Sequence, residues 1–401
     1  MKPQKSFIQL LFLGIFIVGI FGCTKDDDNP DPPITHERGD IISSTIVETY
    51  SPADIQQILD ASGTQLPLDL IYTVDIISVE YYTVDKDGNE IITSGAFMLP
   101  QGLDNLSILS SQHGTESKRD LVASVSALNS TEGLVGLIST SGGYFTLVAD
   151  YPGFGVSEIP HPYMHAESLV PCVIDFIRAG KSYCSQNEIS LNGNLFLTGY
   201  SEGGFVTLAA QKEIEENYAD EFEITAVAPM AGPYNFKGMI DTIFQTSTFV
   251  TPSYIAYFLT AYDEIYSWNR LDDFFTSTYA SEVGHMFDGS STWGEIINQM
   301  PVTFSELIDP VFQQSYTNGS EVDLSNAIEE NTILDWTPIA PIHFFHGDAD
   351  QTVPYYNVVT AIEKLSSNGG ENIFLTTIPG GTHATAGPIA SVGAIQWFNT
   401  F

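Results

Sequence analysis

Ser201 stands in the pattern most suggestive of chemistry, Gly199-Tyr200-Ser201-Glu202-Gly203. Residues 194–198 before it are mostly apolar, as in a short strand, and residues 204–217 after it have the composition of a helix. Glycine on both sides lets the chain turn sharply, so the serine hydroxyl is lifted out of the sheet above the start of the helix. The alternative is a tight structural turn. The pattern favours a nucleophilic serine.

A serine nucleophile needs a base, and the base needs a carboxylate to orient it. On this type of turn, the acid and the histidine follow the serine in that order. His343 and His346 fall in one predicted strand, where residues three apart point to opposite faces, and His285 lies in a segment interpreted below as a cap. His383, on the glycine-rich loop 379–384 after a predicted strand, is the predicted base rather than a solvated loop histidine.

Two aspartates compete for the role of the acid in the segment 347–354, which follows a predicted strand. Asp350 is the predicted acid, because an ordered segment restarts shortly after it at Val353. Asp348 directly follows a glycine and is predicted to cap the turn, since a short carboxylate readily accepts from nearby backbone N–H groups. If Asp350 faced solvent, Asp348 would be the predicted acid instead.

Acyl transfer also needs donors directed at the developing oxyanion. One is the backbone N–H of Glu202, the residue after the nucleophile. The second should come from the loop Gln112-His113-Gly114-Thr115, which follows another predicted strand. The sequence does not separate the N–H of Gly114 from that of Thr115, and we favour Thr115. His113 is interpreted as a residue that braces this loop and not as a second base.

These motifs, together with Asp150-Tyr151-Pro152-Gly153-Phe154-Gly155 and His161-Pro162-Tyr163, resemble the α/β-hydrolase superfamily. Within it the chain is most similar to the secretory lipase family, of the lipase A type, over roughly residues 90 to 401. The resemblance implies a Ser–Asp–His acyl hydrolase of carboxylic esters with a substantial cap between the sixth and seventh core strands. The preference of lipases for long acyl chains varies between members. We expect no metal or cofactor.

The order of predicted elements agrees with this fold class. From about residue 91 strands and helices alternate, which predicts an α/β-hydrolase fold, a mostly parallel sheet with helices on both faces and a helical cap insertion. Residues 71–85 and 90–99 are predicted to form a leading β-hairpin. The predicted organisation is a signal peptide (1–22), a lipidated flexible tether (23–40), the first part of the core (41–234), the helical cap or lid (235–336) and the second part of the core (337–401).

The segment 235–336 is rich in large aromatic side chains. A helical insert of this composition must pack over the core, and we expect it to wall the site and give an apolar acyl or aromatic pocket. The alternative is that these rings form only the small core of the insert.

The charge balance excludes one class of partner. The 401 residues include 13 Lys and Arg against 50 Asp and Glu, a net charge of −37. No basic patch could overcome the negative electrostatic field of such a chain, so nucleic acid is excluded as a partner. Strongly anionic substrates are disfavoured for the same reason.

The start of the chain predicts where the protein works. Lys2 and Lys5 precede the apolar run 7–21, which is too short for a membrane span and is typical of a signal peptide. Cys23 follows a glycine at its end and resembles a bacterial lipobox, which implies cleavage before Cys23 and attachment of lipid. Residues 24–28 resemble an export tag for the outer face of the outer membrane. We therefore expect a surface lipoprotein with membrane attachment through Cys23.

The sequence thus predicts a lipid-anchored serine carboxylesterase or lipase that acts on a small-molecule or lipid ester. Three alternatives stay open: an esterase that removes acetyl or feruloyl-type aromatic acyl groups from polysaccharides, a serine peptidase of the same fold, and a non-catalytic binding module. The natural ester and the oligomeric state are not specified by the sequence.

Overall fold

The structure, a computed structural model, describes residues 36–63 and 67–401. The predicted signal peptide (1–22), the predicted lipidation site Cys23 and the predicted tether up to residue 35 lie outside the described residues. Within the described ranges, no helix combines the length and the apolar character that crossing a membrane requires.

Nine strands of the described chain form one sheet, in the order β1-β2-β3-β5-β4-β6-β7-β8-β9. The first three strands and β5 pair antiparallel, and the pairs from β5 through β4 to β9 are parallel. The strands are β1 (Ile41–Tyr50), β2 (Val74–Val84), β3 (Glu90–Pro100), β4 (Leu106–Gln112), β5 (Tyr144–Ala149), β6 (Leu191–Tyr200), β7 (Ala226–Met230), β8 (Ile342–Gly347) and β9 (Ile373–Ile378). The predicted fold class is confirmed.

The predicted leading hairpin is formed by β2 and β3. One carboxylate oxygen of Asp85 accepts from the backbone N–H groups of Asp87 and Asn89, both at 2.9 Å. Because a short acidic side chain that bonds the backbone two residues on closes a turn by itself, the carboxylate fixes the connection locally.

Strand β1 has no counterpart among the predicted elements. It pairs with β2 at the edge of the sheet, and most of its residues are exposed on both faces. A strand that buries neither face has no apolar alternation, which is the signal from which strands are predicted. The predicted cap therefore follows the seventh strand of the sheet and not the sixth.

Helices cover both faces of the sheet, and alternation along the strands shows which face each one covers. Neighbouring residues such as Ile108 and Leu109 belong to different buried clusters, because successive side chains of a strand point to opposite faces. One face packs against α3 (Ala166–Gln186), α4 (Glu202–Asn217) and α13 (Tyr356–Ser367). The other packs against α1 (Pro52–Ala61), α2 (Thr131–Ser141) and α14 (His383–Phe398).

Between β7 and β8 the chain is helical. The helices are α5 (Phe236–Thr246), α6 (Ser253–Ile265), α7 (Leu271–Phe274), α8 (Val283–Met286), α9 (Trp293–Gln299), α10 (Phe304–Leu307), α11 (Pro310–Thr317) and α12 (Val322–Glu330). Some of their rings pack on one another, as Phe244 does on Phe312 and Tyr316. Others meet the core, as Tyr257 stacks on Tyr163 with ring centroids 4.4 Å apart. The insert therefore shares one continuous core with the sheet face it covers.

Residues 36–40, the last of the predicted tether, lie against the core. The guanidinium of Arg38 is 3.0 Å from the buried carboxylate of Asp175, and the N–H of Gly39 donates to Tyr82 at 2.9 Å. Asp175 also pairs with Arg178. A buried carboxylate requires such partners, so Asp175 fixes the start of the described chain.

Candidate active site

Ser201 lies between the end of β6 and the start of α4, with φ 61° and ψ −120°. A non-glycine residue is strained in this region and persists only where its surroundings enforce it. Gly199 and Gly203 provide the space, since a Cβ atom added to Gly199 would lie 2.4 Å from the carbonyl oxygen of Gly203. A Cβ atom added to Gly203 would lie 2.0 Å from the carbonyl oxygen of Gln112. The sharp turn predicted from the sequence is thus present.

The structure brings the serine, the histidine and one aspartate together. Nε2 of His383 lies 2.9 Å from Oγ of Ser201, and Nδ1 of the same ring lies 2.7 Å from Oδ2 of Asp350. The residues come from three separate parts of the chain, each within five residues of the carboxyl end of a strand of the sheet. This is the geometry in which an imidazole accepts the proton of a hydroxyl while a carboxylate holds its tautomer.

His383 is the first residue of α14 and does not lie on a loop. Thr382 caps the helix in a reciprocal arrangement with Thr385, so the helix begins at His383, inside the segment 379–384 that was predicted as a loop. The prediction of this boundary was wrong because a Thr at both positions of the box gives a weaker signal than Glu or Gln at the second.

Asp350 is buried and both of its carboxylate oxygens are used. Oδ1 accepts from the N–H groups of Thr352 and Val353, both at 2.9 Å. Burial by itself would raise the pKa of this carboxyl group, but hydrogen bonds from His346 and His383 outweigh burial and lower its pKa to about 2. Asp350 is therefore ionised at any pH near neutrality.

Asp348 is exposed. Its Oδ1 accepts a 2.6 Å hydrogen bond from the backbone N–H of Gly380, in the turn that leads to His383. Asp348 was predicted to cap its own turn, but the backbone N–H that it bonds is distant in sequence.

His346 contacts the site, which the sequence analysis missed. Its Nε2 donates to the carbonyl oxygen of Val353 at 2.8 Å and lies 3.5 Å from Oδ2 of Asp350. His343, by contrast, packs in the sheet against Phe345 and Trp397. The spacing of four residues between His346 and Asp350, across a tight turn, was the signal that could have revealed this contact.

Backbone N–H groups from two segments lie near the nucleophile. The N–H of Glu202 opens α4 and, like every N–H in the first turn of a helix, has no partner within that helix. On the other side Gly114 is close, since a Cβ atom added there would lie 3.9 Å from Cβ of Ser201 and 3.3 Å from the carbonyl oxygen of Tyr200. The N–H of Gly114 acts on the carboxyl group of Glu132, in the direction that lowers its pKa. The neighbouring N–H of Thr115 is therefore the better candidate for the second oxyanion donor.

The side chain of Glu202 is buried behind the nucleophile. Its Oε1 lies 2.9 Å from Nε2 of His161, and Nδ1 of that ring lies 2.9 Å from the carbonyl oxygen of Pro152. Since a carbonyl only accepts, Nδ1 carries a proton. Only the backbone N–H of Glu202 was predicted to have a role, because nothing local in the sequence indicates that its carboxyl group is buried.

Two cavities adjoin Ser201. The larger, of about 450 Å³, is mostly apolar, and the carboxyl groups of Glu116 and Glu132 contribute to its wall. Its apolar wall comes from α1, α2 and α14, with Leu59, Leu134, Val135, Ile138, Val392 and Ile395. The smaller, of about 30 Å³, lies under the cap and is walled by Phe236, Phe249, Tyr254 and Phe258. Rings of the cap thus do line the site, while α1, α2 and α14 supply the apolar side chains of the larger space.

Comparisons with known proteins agree with this architecture. The family model described as secretory lipase matches residues 130–400. The comparison with curated protein sequences gave no match. Among solved structures, the ligand-bound rice cell wall degrading esterase LipA from Xanthomonas oryzae is 25% identical, with a TM-score of 0.81 over 91% of this chain and 98% of that chain.

Two further structures share the fold. A protein from Legionella pneumophila is 23% identical, with a TM-score of 0.82 over 90% of this chain and 97% of its own. Candida antarctica lipase A in its closed state is 16% identical, with a TM-score of 0.68 over 91% of this chain and 82% of its own. The resemblance stated from the motifs is confirmed. The chain belongs to the secretory lipase family and is an ester hydrolase of the α/β-hydrolase fold.

Proposed function

We propose that the chain hydrolyses carboxylic esters through an acyl-enzyme formed on Ser201. Oγ attacks the ester carbonyl carbon while Nε2 of His383 takes its proton, and the carbonyl electron pair moves to oxygen. The N–H groups of Thr115 and Glu202 bind this oxyanion. When the intermediate collapses, the alcohol leaves with the proton from His383. Water then attacks the acyl-enzyme through the same steps, and the carboxylic acid is released.

One observation carries this proposal: the unbroken series of contacts from Oγ of Ser201 through the imidazole of His383 to Asp350, at 2.9 Å and 2.7 Å. An ionised Asp350 keeps the Nδ1 proton in place, so Nε2 presents its lone pair to the hydroxyl. The same carboxylate stabilises the imidazolium that forms during attack.

The larger cavity indicates the kind of ester. Its volume of about 450 Å³ falls in the range of cavities that enclose small ligands, and its wall is mostly apolar. We infer an uncharged ester with an apolar acyl or alcohol portion in this space. The net charge of −37 disfavours anionic esters.

The place of action is proposed from the sequence. The apolar run 7–21, Cys23 after glycine and the acidic residues that follow support export, lipid attachment and a position at the outer face of a bacterial outer membrane. Mass spectrometry of the membrane-bound protein tests this, with Cys23→Ser as the control that should be released without lipid.

A polysaccharide-directed esterase is the second candidate. It is supported by the likeness to LipA from X. oryzae, a rice cell wall degrading esterase, at 25% identity over nearly the whole chain. Release of acetate or of an aromatic acid from acylated polysaccharide, with little activity on long-chain emulsions, would favour it over a lipase. Activity on aminoacyl amides in place of esters would favour a peptidase.

The proposal is tested with nitrophenyl esters of increasing chain length and a serine-directed fluorophosphonate. We expect label on Ser201 of the wild type, and a rate lowered on the order of 10⁶-fold in Ser201→Ala, since the members of such a triad act as a unit. Ester hydrolysis near the wild-type rate in that variant would refute the mechanism.

A further inference from the structure

Both ring nitrogens of His113 face oxygens that can only accept. Nδ1 lies 2.8 Å from the carbonyl oxygen of Gly114, and Nε2 lies 2.9 Å from the carbonyl oxygen of Asp150. A neutral imidazole carries one N–H and could satisfy only one of them, whereas an imidazolium donates to both. The ring is 1% exposed and stacks on Tyr151 at 3.9 Å, so water cannot supply a missing donor.

Titratable groups surround this ring from several elements. Glu132 is on α2, Glu202 on α4, and Glu116 follows the loop after β4. Burial opposes a charge on His113, but Glu132, Glu202 and the two carbonyl groups outweigh burial and raise the pKa of the imidazole. The remaining group is the buried carboxyl of Asp150, which accepts from the hydroxyl of Ser94 at 2.6 Å.

The bond to Gly114 has a consequence for the next N–H. The carbonyl of Gly114 and the N–H of Thr115 belong to one peptide unit, which is planar and trans, so the two groups point in opposite directions. A contact that fixes the carbonyl of Gly114 therefore also fixes the direction of the N–H of Thr115. The second bond, to Asp150, fixes the ring to the end of β5.

We propose that His113 is a buried, protonated imidazolium that positions the oxyanion donor: its two N–H groups clamp the Gly114–Thr115 peptide to the sheet and so direct the N–H of Thr115 at the oxyanion. It is a positioning residue and does not touch the substrate. Its positive charge next to the oxyanion loop also favours the negative charge that develops there. The inference rests on the proposed function, and it explains what holds the Gly114–Thr115 peptide in place.

Nuclear magnetic resonance of ring nitrogens tests the protonation state. In wild type labelled with ¹⁵N-histidine, both nitrogens of His113 should show imidazolium shifts at about pH 7, above the pKa of about 6.5 at which an ordinary histidine loses its proton. His165 serves as an internal reference, because burial lowers its pKa to about 4 and it should remain neutral in the same spectra. His113→Gln assigns the signals. Shifts of a neutral ring for His113 at about pH 7 would overturn the proposal.

Kinetics test the positioning role. In His113→Gln and His113→Phe we expect kcat to fall about 10- to 100-fold with KM nearly unchanged, somewhat less than removal of an oxyanion donor itself. A trifluoromethyl ketone, which forms a tetrahedral adduct, should bind more weakly by the same factor as kcat/KM falls. His165→Phe, a buried histidine paired with Ser168 and Tyr266, is the matched control and should keep both constants.

The two proposals fail in different ways. Fluorophosphonate labelling of Ser201 with wild-type kcat in folded His113→Gln would leave the acyl-enzyme mechanism intact and remove the role of His113. Absence of labelling in the wild type would remove the mechanism itself. Circular dichroism shows whether each variant is folded, and if His113→Phe does not fold, His113→Gln and the resonance data decide.

Discussion

The hydroxyl group of Tyr200 donates a 2.6 Å hydrogen bond to the carbonyl oxygen of His383. The residue before the nucleophile therefore holds the backbone of the residue that accepts the nucleophile's proton. The two rings also lie 5.1 Å apart. Because β6 and α14 are distant in sequence, this contact joins the two parts of the site directly.

Tyr200→Phe removes this bond and keeps the ring. A lost hydrogen bond of this kind costs about 1 kcal/mol, and looser placement of the imidazole should lower kcat by roughly 3- to 10-fold. KM should change little, because Tyr200 acts on the base. Steady-state kinetics with one nitrophenyl ester measure this, and a change confined to KM would contradict the assignment.

Asp350→Asn should be far more damaging than Asp348→Asn. The amide at position 350 would favour the wrong imidazole tautomer, and we expect kcat to fall on the order of 10⁴-fold. At position 348 an amide oxygen can still accept from Gly380, so the rate should stay within about threefold, as expected for a neutral hydrogen bond in place of a charged one. Comparable losses in the two variants would mean that the acid has been misassigned.

Glu116 should make stability depend on pH. Burial raises its pKa from 4.5 to about 7, so in this interval the native state keeps a proton that the unfolded chain has released. Raising the pH through this interval therefore lowers the free energy of unfolding. Glu116→Gln should match the wild type at about pH 4 and exceed its Tm by about 1–2 °C at about pH 8. Thermal unfolding at both pH values measures the difference, and an equal gain at both would exclude titration of Glu116.

Filling the larger cavity should shorten the range of accepted esters. Val135 lies in its wall, and a tryptophan there would occupy part of the space. We expect Val135→Trp to lower kcat/KM for a decanoate ester by about 10- to 100-fold, from lost burial of several methylene groups at ~0.8 kcal/mol each, and to spare the acetate. Val125→Trp, at a position that is 48% exposed, is the matched control. An equal loss of kcat/KM on both esters would mean that the acyl chain of the substrate binds outside this cavity.

The parts of the site that the sequence predicts are those with local rules. The turn at Ser201 follows from glycine spacing, and His383 and Asp350 follow from their places after strands. Other parts depend on packing between distant segments, as in the burial of Glu202 beside His161. No local pattern encodes this pair.

The same reasoning applies to the fold. Strands with a buried face were predicted because they are apolar, whereas β1 was missed because it buries neither face. The choice between Gly114 and Thr115 needed coordinates, since it depends on where one peptide plane is turned. Sequence gives the identity of the loop, and only three-dimensional contacts give its orientation.

Because His383 is the first residue of α14, the catalytic site is complete only after this helix has been synthesised. This helix closes one side of the sheet with Ala386, Ala390, Ala394 and Phe398, and the ribosome makes it after every other strand and helix of the described chain. A nascent polypeptide therefore carries its nucleophile and acid long before its base, and remains inert until that last layer docks.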